Sequence, residues 1–575
     1  MGENMKKRIV NNMPQFNDIK EIILNSVKLY PDNIAFTTKS LVDKKVAYKE
    51  ITYRELLEDV NSFGTSLYNL GLKDKRVAII GKNQYEWVVA HLSNLLGNMV
   101  SIPLDKELQI EELESSLERS EADVLIFDEK FDDYVKQIKE KNNTNVTEYI
   151  CMNKHPSYRN MPDLIEEGKE LISRGNNQYI NANIDAEKMS ILLFTSGTSA
   201  KSKAVMLSQK NITTNVYDMQ IDTKFYDDDV NIAFLPFHHV FGGTGIFVML
   251  SSGVKTVFPD GLRYIKQNLI EYGVTVFIGV PILIEKMYQG IEKEIKKQKK
   301  EKTIAFAKTI SGVLFKLHID IRRKIFKQII DQLGGKLRLI VSGGAALDID
   351  VLHKFKEFGI NVIQGYGLSE TAPVIANESD INAKEGSVGK PMPSLSIDIV
   401  NKDKDGIGEI IVRGPSVMLG YYKNDEENAR AFDDGWFNTG DLGYIDKQGY
   451  LFITGRKKDM IALKNGKKIF PEELESVINR LEEVEESYIY GMQDDRKADD
   501  LKVSVKIVYD ENVIKKIYNN ITESKLYEIL WEKIKKINKA LPKYKYIKNM
   551  ILTKEPLIKT TTNKIKRNEE EKKQS

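Results

Sequence analysis

The feature that most constrains the fold of this chain is its rhythm of short apolar segments alternating with amphipathic ones. Leu56 to Leu70 repeats its apolar positions at helical spacing, and Arg76 to Ile80 then reads as a strand. Glu86 to Leu96 returns to the helical period, and a short strand from Met99 to Ile102 ends at Pro103. Strand-like segments recur at Asp123 to Phe127, Ile191 to Phe194, Val230 to Phe234, Thr275 to Gly279, Leu337 to Val341 and Asn361 to Gln364. Strands separated by helical segments imply parallel sheets with helices on both faces.

The rhythm changes after about Gly386, where shorter strands such as Ser396 to Val400 and Glu409 to Val412 lie among turn residues. That stretch reads as a small β-rich subdomain. Beyond Arg456 the chain is richer in lysine and glutamate, with helices expected at Pro471 to Arg480 and Ser524 to Lys539. A compact terminal α+β domain fits, closed by a charged tail after Arg567. At 575 residues the chain exceeds what one core supports, so at least two domains are expected, with the change of composition at Arg456 dividing 1–455 from 456–575.

Composition removes several classes of function. The 85 basic and 83 acidic residues nearly cancel, which leaves no global electrostatic case for nucleic acid. A single cysteine, Cys151, excludes an internal disulfide and a cysteine-based zinc site. No apolar run approaches the roughly 20 residues of a membrane span, and Met1 to Pro14 has no apolar signal core. The chain reads as cytoplasmic.

Four segments carry candidate chemistry. The strand Ile191 to Phe194 runs into Thr195-Ser196-Gly197-Thr198-Ser199-Ala200-Lys201-Ser202-Lys203, a loop of hydroxyls and lysines that offers N–H, O–H and ammonium donors to a polyphosphate. It is not the Walker A loop, because Ser202 stands at the second glycine and Ala204 at the magnesium hydroxyl. Paired glycines in Ser342-Gly343-Gly344-Ala345-Ala346-Leu347 end a strand, where open α/β sheets bind ligands. In Gly365-Tyr366-Gly367-Leu368-Ser369-Glu370-Thr371 the glycines let a flat base approach the backbone, and Glu370 has the chemistry of a magnesium ligand shared with phosphates. Asp441, after the Thr439-Gly440 turn, could accept hydrogen bonds from two ribose hydroxyls. Each segment taken alone also fits an ordinary turn, helix cap or charge cluster.

Together with Leu235-Pro236-Phe237-His238-His239-Val240-Phe241-Gly242, Gly455-Arg456-Lys457-Lys458-Asp459 and Lys559 to Arg567, these segments occur in the order and spacing of the adenylate-forming enzymes. The chain resembles that superfamily, which includes acyl-CoA synthetases and luciferases, over essentially its whole length. Ser369 stands where the family has threonine, and Asn563 where its terminal Lys-x-x-x-Gly-Lys pattern has glycine.

The resemblance implies a large N-terminal domain of two parallel-sheet subdomains plus a small β-barrel-like one, followed by a small mobile C-terminal α+β domain. It implies that Thr195, Ser196, Gly197, Thr198, Ser199 and Lys203 grip pyrophosphate, and that Glu370 and Thr198 hold Mg²⁺. Gly343, Gly344, Ala345, Gly365, Tyr366, Gly367, Ser369, Asp441 and Arg456 would surround the nucleotide, with Gly343 and His239 at an acyl pocket. Lys564 would be the catalytic lysine on the α-phosphate and carboxylate oxygens. Lys458 would be the hinge, with Gly466 and Lys467 beside a CoA channel. ATP and CoA are then co-substrates. His238 and His239, being adjacent, point to opposite faces and make an unpromising metal pair.

The stretch Lys286 to Lys336 carries 14 basic and 5 acidic residues, with apolar positions at helical spacing. It suits either a solvated helical hairpin or a membrane-surface element at the inner face of a bilayer. Its length resembles long-chain fatty acyl-CoA synthetases, so a medium- to long-chain fatty acid is the expected acid. An acyl-carrier-protein synthetase or fatty acyl-AMP ligase shares the first step. A nucleotide- or lipid-binding protein without catalysis is the reading from another class.

Overall fold

The computed structural model describes residues 14–195, 202–379, 383–463, 467–494, 497–519, 521–559 and 565–573. Two large sheets form the body. One has nine strands in the order Lys390–Pro391, Val374–Asn377, Asn361–Gly367, Leu339–Ser342, Val276–Gly279, Val230–Ile232, Lys255–Val257, Ile34–Val42, Lys45–Thr52. Its interior pairs are parallel and its edges antiparallel. The other has eight, from Gly420–Tyr421 through Lys203–Ser208, Met189–Thr195, Val100–Leu104, Arg76–Ile80, Val124–Phe127 and Glu148–Cys151 to Arg159–Asn160.

The parallel strands are buried on both faces, as crossover connections require. Val77, Ile79, Val124 and Ile126 pack on the helices Tyr53–Asn69 and Tyr85–Leu96, while Ala78, Ile80, Leu125 and Phe127 pack on the opposite side. Thr52 caps the first of those helices through a reciprocal bond with Glu55. The expected strand Met99 to Ile102 is in fact Val100–Leu104 and continues through Pro103, which registers against Ile79. Proline halts a strand only where its missing N–H is needed, and here it is accommodated.

A five-stranded antiparallel sheet of Ser396–Val400, Gly408–Arg413, Trp436–Ile445, Phe432–Asp433 and Leu451–Arg456 forms the β-rich part. The last part has its own core, in which Leu474, Ile489, Val505, Leu530 and Ile534 are buried. It consists of the sheet Glu486–Asp494, Lys497–Val508, Ile547–Thr553 with the helices Pro471–Ile478 and Glu523–Ala540. Arg480 bridges to the body, with Nε 2.8 Å from Asp348 and an outer nitrogen 3.2 Å from Asp350.

The expected charged tail after Arg567 is instead a helix, Arg567–Lys572, with Arg567 and Glu570 buried. Arg567 reaches Glu475 at 2.7 Å and Lys506 reaches Glu570 at 2.8 Å. Buried charges persist because each has a partner, and a run of charges in sequence does not reveal partners 92 and 64 residues away.

Candidate active site

The three central parallel strands end level with one another. Gly279 registers with Ser342, and Ser342 with Gln364, so the parallel pairing of the three strands stops along one rim, with Val280, Gly343 and Gly365 just beyond it. This is the carboxyl edge where open α/β sheets bind ligands. A cleft of about 3670 Å³ opens above it, bounded by the two large sheets, the five-stranded sheet and the C-terminal part.

Every expected site residue that the structure describes lines this one cleft: Thr195, Lys203, His239, Gly343, Gly344, Ala345, Gly365, Tyr366, Gly367, Ser369, Glu370, Asp441, Arg456, Lys458 and Lys467. They come from elements up to 272 residues apart in the chain, from Thr195 to Lys467. Ser196, Gly197, Thr198, Ser199, Gly466 and Lys564 lie outside the described residues.

Two glycines are required by local geometry. A side-chain carbon on Gly343 would fall 2.8 Å from the Phe241 ring, and one on Gly367 would fall 1.9 Å from the carbonyl oxygen of Pro373. The second contact arises because Asn361–Gly367 continues past Gln364 to pair antiparallel with Val374–Asn377. Tyr366, expected in a turn, is therefore part of a strand and held inside a sheet.

One polar group is centred on Asp441. The Tyr366 hydroxyl donates to its Oδ2 at 2.7 Å, and Arg456 Nε lies 3.0 Å from its Oδ1. Thr439 Oγ1 accepts from the Asp441 backbone N–H at 3.1 Å. Burial, followed by the charge of Asp441, pushes the Tyr366 phenol well above its usual range, so it stays a donor. Burial works against the Arg456 charge, but Asp441 and Tyr366 outweigh it and hold that charge firmly. Burial and then Arg456 lower the Lys458 ammonium.

A second group is centred on Glu370. The Tyr421 hydroxyl donates to Glu370 Oε1 at 2.9 Å, and Lys203 Nζ lies 4.8 Å from the centre of the Tyr421 ring while pairing with Glu427. Burial, then Glu370, raises the Tyr421 phenol, which also remains protonated. Lys203 opens the strand Lys203–Ser208, whose antiparallel partner is Met189–Thr195, with Thr195 opposite Lys203. The strands on either side of the hydroxyl-rich segment therefore pair directly with each other. The apolar run Ala204 to Leu207 is the sequence signal for that returning strand.

Tyr421 and Glu427 were not expected in the site. Neither has a local signal, because their partners Glu370 and Lys203 are 51 and 224 residues distant. Arg119 is a further unexpected neighbour of the loop, donating to the hydroxyl of Ser202 at 3.1 Å. His238 pairs with Asp105 at 3.5 Å, whereas His239 caps the helix Val240–Ser251 by accepting from the Phe241 N–H. The two histidines thus serve different partners.

Glu370 fits a magnesium ion of the kind bound through one carboxylate plus substrate phosphates. Its Oε2 has no hydrogen-bond partner among the described residues, and Lys203 stands near enough to share the charge of a polyphosphate.

Comparison with known proteins agrees with this geometry. Residues 24–422 match the family model described as AMP-binding enzyme, and residues 458–574 match the AMP-binding enzyme C-terminal domain. A long-chain-fatty-acid–CoA ligase of Mycobacterium bovis is 28% identical over 477 residues, covering 80% of this chain and 78% of the relative. A long-chain-fatty-acid–[acyl-carrier-protein] ligase of Arabidopsis thaliana is 26% identical over 556 residues, covering 83% and 76%. Among solved structures, an anthranilate CoA ligase in complex with anthranoyl-AMP superposes with a TM-score of 0.75 at 21% identity, covering 98% of both chains, a likeness of fold. With one family model spanning 24–422 and its C-terminal companion following at 458–574, the chain belongs to the AMP-binding enzyme family.

Proposed function

We propose that this chain activates a medium- to long-chain fatty acid with ATP and transfers the acyl group to CoA. The observation that carries the reading is the convergence of two polar groups on one cleft, Tyr366–Asp441–Arg456 and Glu370–Tyr421–Lys203. The first suits a nucleoside and the second a polyphosphate.

A carboxylate is a poor acyl donor because its leaving group would be oxide. In the first step a carboxylate oxygen attacks the α-phosphorus of ATP, forming acyl-AMP and releasing pyrophosphate. In the second, the sulfur of CoA attacks the carbonyl, AMP departs, and the thiol proton passes to solvent. Magnesium, when bound with ATP, supplies positive charge to the phosphoryl oxygens. Asp441 takes the ribose hydroxyls, with Tyr366 and Arg456 fixing its rotamer. Glu370 would hold the metal with help from Thr198, and Lys203 with residues 195–199 would retain pyrophosphate. Lys564 serves the α-phosphate and carboxylate oxygens.

Residues 1–455 and 456–575 are taken as the working domains, with Lys458 at the hinge. Rotation there would withdraw Lys564 and bring Gly466 and Lys467 toward incoming thiol. The acyl chain is assigned to the part of the cleft lined by His239, Gly343 and the helix Pro281–Lys297. With one cysteine and no described helix long and apolar enough to cross a membrane, the protein is assigned to the cytoplasm.

The fatty-acid preference is supported by the Mycobacterium bovis relative, and the Arabidopsis thaliana relative favours a carrier-protein acceptor as the second reading. The test is ATP-dependent AMP release across acids of two to eighteen carbons and aromatic acids, with CoA, with a carrier protein, or with neither. AMP and thioester formed from CoA and the longer acids are expected. Reaction with acetate or aromatic acids alone would overturn the acid assignment, and pyrophosphate exchange without a CoA thioester would move the acceptor to a carrier protein.

A further inference from the structure

The helix Glu301–Lys316 has two apolar faces, and the fold uses only one. Ile304 and Ala307 pack on the core beneath, and Ser311 is buried on that side. The other face carries Phe306, Ile310, Val313 and Leu317, spaced i, i+4, i+7, i+11, and these are 68%, 40%, 56% and 63% exposed. Phe315 and Ile319 extend the exposed surface at 47% and 51%. Isolated surface hydrophobics are ordinary, but a contiguous helical stripe of this kind marks an interaction face.

Charge indicates what that face meets. From Lys302 to Ile319 there is no acidic residue. Lys302, Lys316 and Lys324 are exposed and reach no carboxylate within 4.0 Å among the described residues. Two basic residues are occupied: Lys308 pairs with Glu357, and Arg322 pairs with Asp320 while its guanidinium lies 3.7 Å from the centre of the Phe315 ring. An apolar stripe flanked by unpaired lysines complements an anionic lipid surface, with side chains entering the acyl boundary and ammonium groups meeting headgroups. A second copy of the chain would bring lysine against lysine across a twofold axis, which disfavours a dimer through this face.

We propose that Glu301–Lys316 docks this protein in the interface of an anionic bilayer, with Phe306, Ile310, Val313 and Leu317 inserted. The geometry also connects that face to the cleft. The helix Pro281–Lys297 lines the cleft through Ile282, Lys286, Gln289, Lys293 and Lys296, and only residues 298–300 separate it from the docking helix. A sparingly soluble acid partitioned in the bilayer would then lie close to the cleft. This last point rests on the fatty-acid reading, whereas docking itself does not.

The test is sedimentation of the full chain with phosphatidylcholine vesicles and with vesicles containing phosphatidylglycerol, without ATP or acid. Binding is expected to the anionic vesicles, to fall with salt, and to weaken at least about tenfold in Phe306→Asp/Val313→Asp and in Lys302→Glu/Lys316→Glu/Lys324→Glu. Both variants should keep the wild-type melting temperature and the wild-type rate with a water-soluble acid, since neither alters a core or cleft residue. Absence of binding by the wild type, equal binding to neutral vesicles, or variants that bind normally would overturn the proposal. So would light scattering that shows a dimer lost in Phe306→Asp/Val313→Asp. Because no substrate is present, failure here leaves the fatty-acid assignment standing, and failure of the acid panel leaves docking standing.

Discussion

The Tyr366 hydroxyl donates to Asp441 at 2.7 Å from a strand 75 residues away, while Arg456 holds the other oxygen of the same carboxylate. The carboxylate most suited to a ribose is thus fixed from two sides before any ligand arrives. Preorganisation of this kind removes the cost of ordering the group during binding.

Replacing Asp441 by alanine should lower kcat/KM for ATP at least about a hundredfold, because a charge-assisted pair of hydrogen bonds is lost. Tyr366→Phe should raise the KM for ATP roughly tenfold with a smaller effect on kcat. The decisive comparison uses 2′-deoxy-ATP. Wild type should discriminate against it and Asp441→Ala should not. Equal discrimination by both would detach Asp441 from the ribose.

Lys203 is paired with Glu427 and lies over the Tyr421 ring. Attraction to Glu427, whose carboxyl this pairing holds below its usual range, competes with attraction to phosphate. Lys203→Ala should therefore cut pyrophosphate exchange about a hundredfold. Glu427→Gln should release the lysine and lower the KM for ATP by about threefold, a modest gain because both groups are partly solvated. An unchanged KM in Glu427→Gln would show that the pair does not restrain the lysine.

Lys564→Ala should abolish most acyl-AMP formation yet leave thioester formation from supplied acyl-AMP within about threefold of wild type. The two half-reactions are measured separately, by pyrophosphate exchange and by CoA thioester appearance. Equal losses in both would remove Lys564 from its assigned role.

His91 is buried between Trp87 and Phe247, with Nδ1 2.8 Å from the Ser101 hydroxyl. Burial lowers its pKa to about 3, against about 6.5 in an unfolded chain. Between those values the unfolded chain takes up a proton that the folded chain refuses. The associated stability is therefore complete above about pH 6.5 and drains away as pH falls toward 3, by about 2 kcal/mol at pH 5. His91→Gln, which keeps a partner for Ser101, should flatten this part of the dependence. Thermal melting of both proteins from pH 7 to 4.5 checks it, and parallel curves would count against a buried neutral imidazole.

Much of the fold was legible because burial imposes a period on sequence. The strand Arg76–Ile80 lies where its apolar run stands, and Ser396–Val400 likewise matches its expected bounds. Pairing across distance was not legible. The antiparallel extension of Asn361–Gly367 and the buried helix Arg567–Lys572 depend on partners that local composition cannot name.

The same division holds for the site. Sequence alone determined which residue types were available where the apolar rhythm breaks, Tyr366, Glu370, Asp441 and Lys203 among them, because glycines and polar groups interrupt it there. Tertiary structure decided that Tyr366 and Arg456 share Asp441, that Tyr421 supports Glu370, and that Glu427 occupies Lys203. It also decided that one apolar stripe of Glu301–Lys316 remains uncovered. Hydrogen bonds act over about 3 Å whatever the separation along the chain, so only the folded arrangement fixes which groups meet.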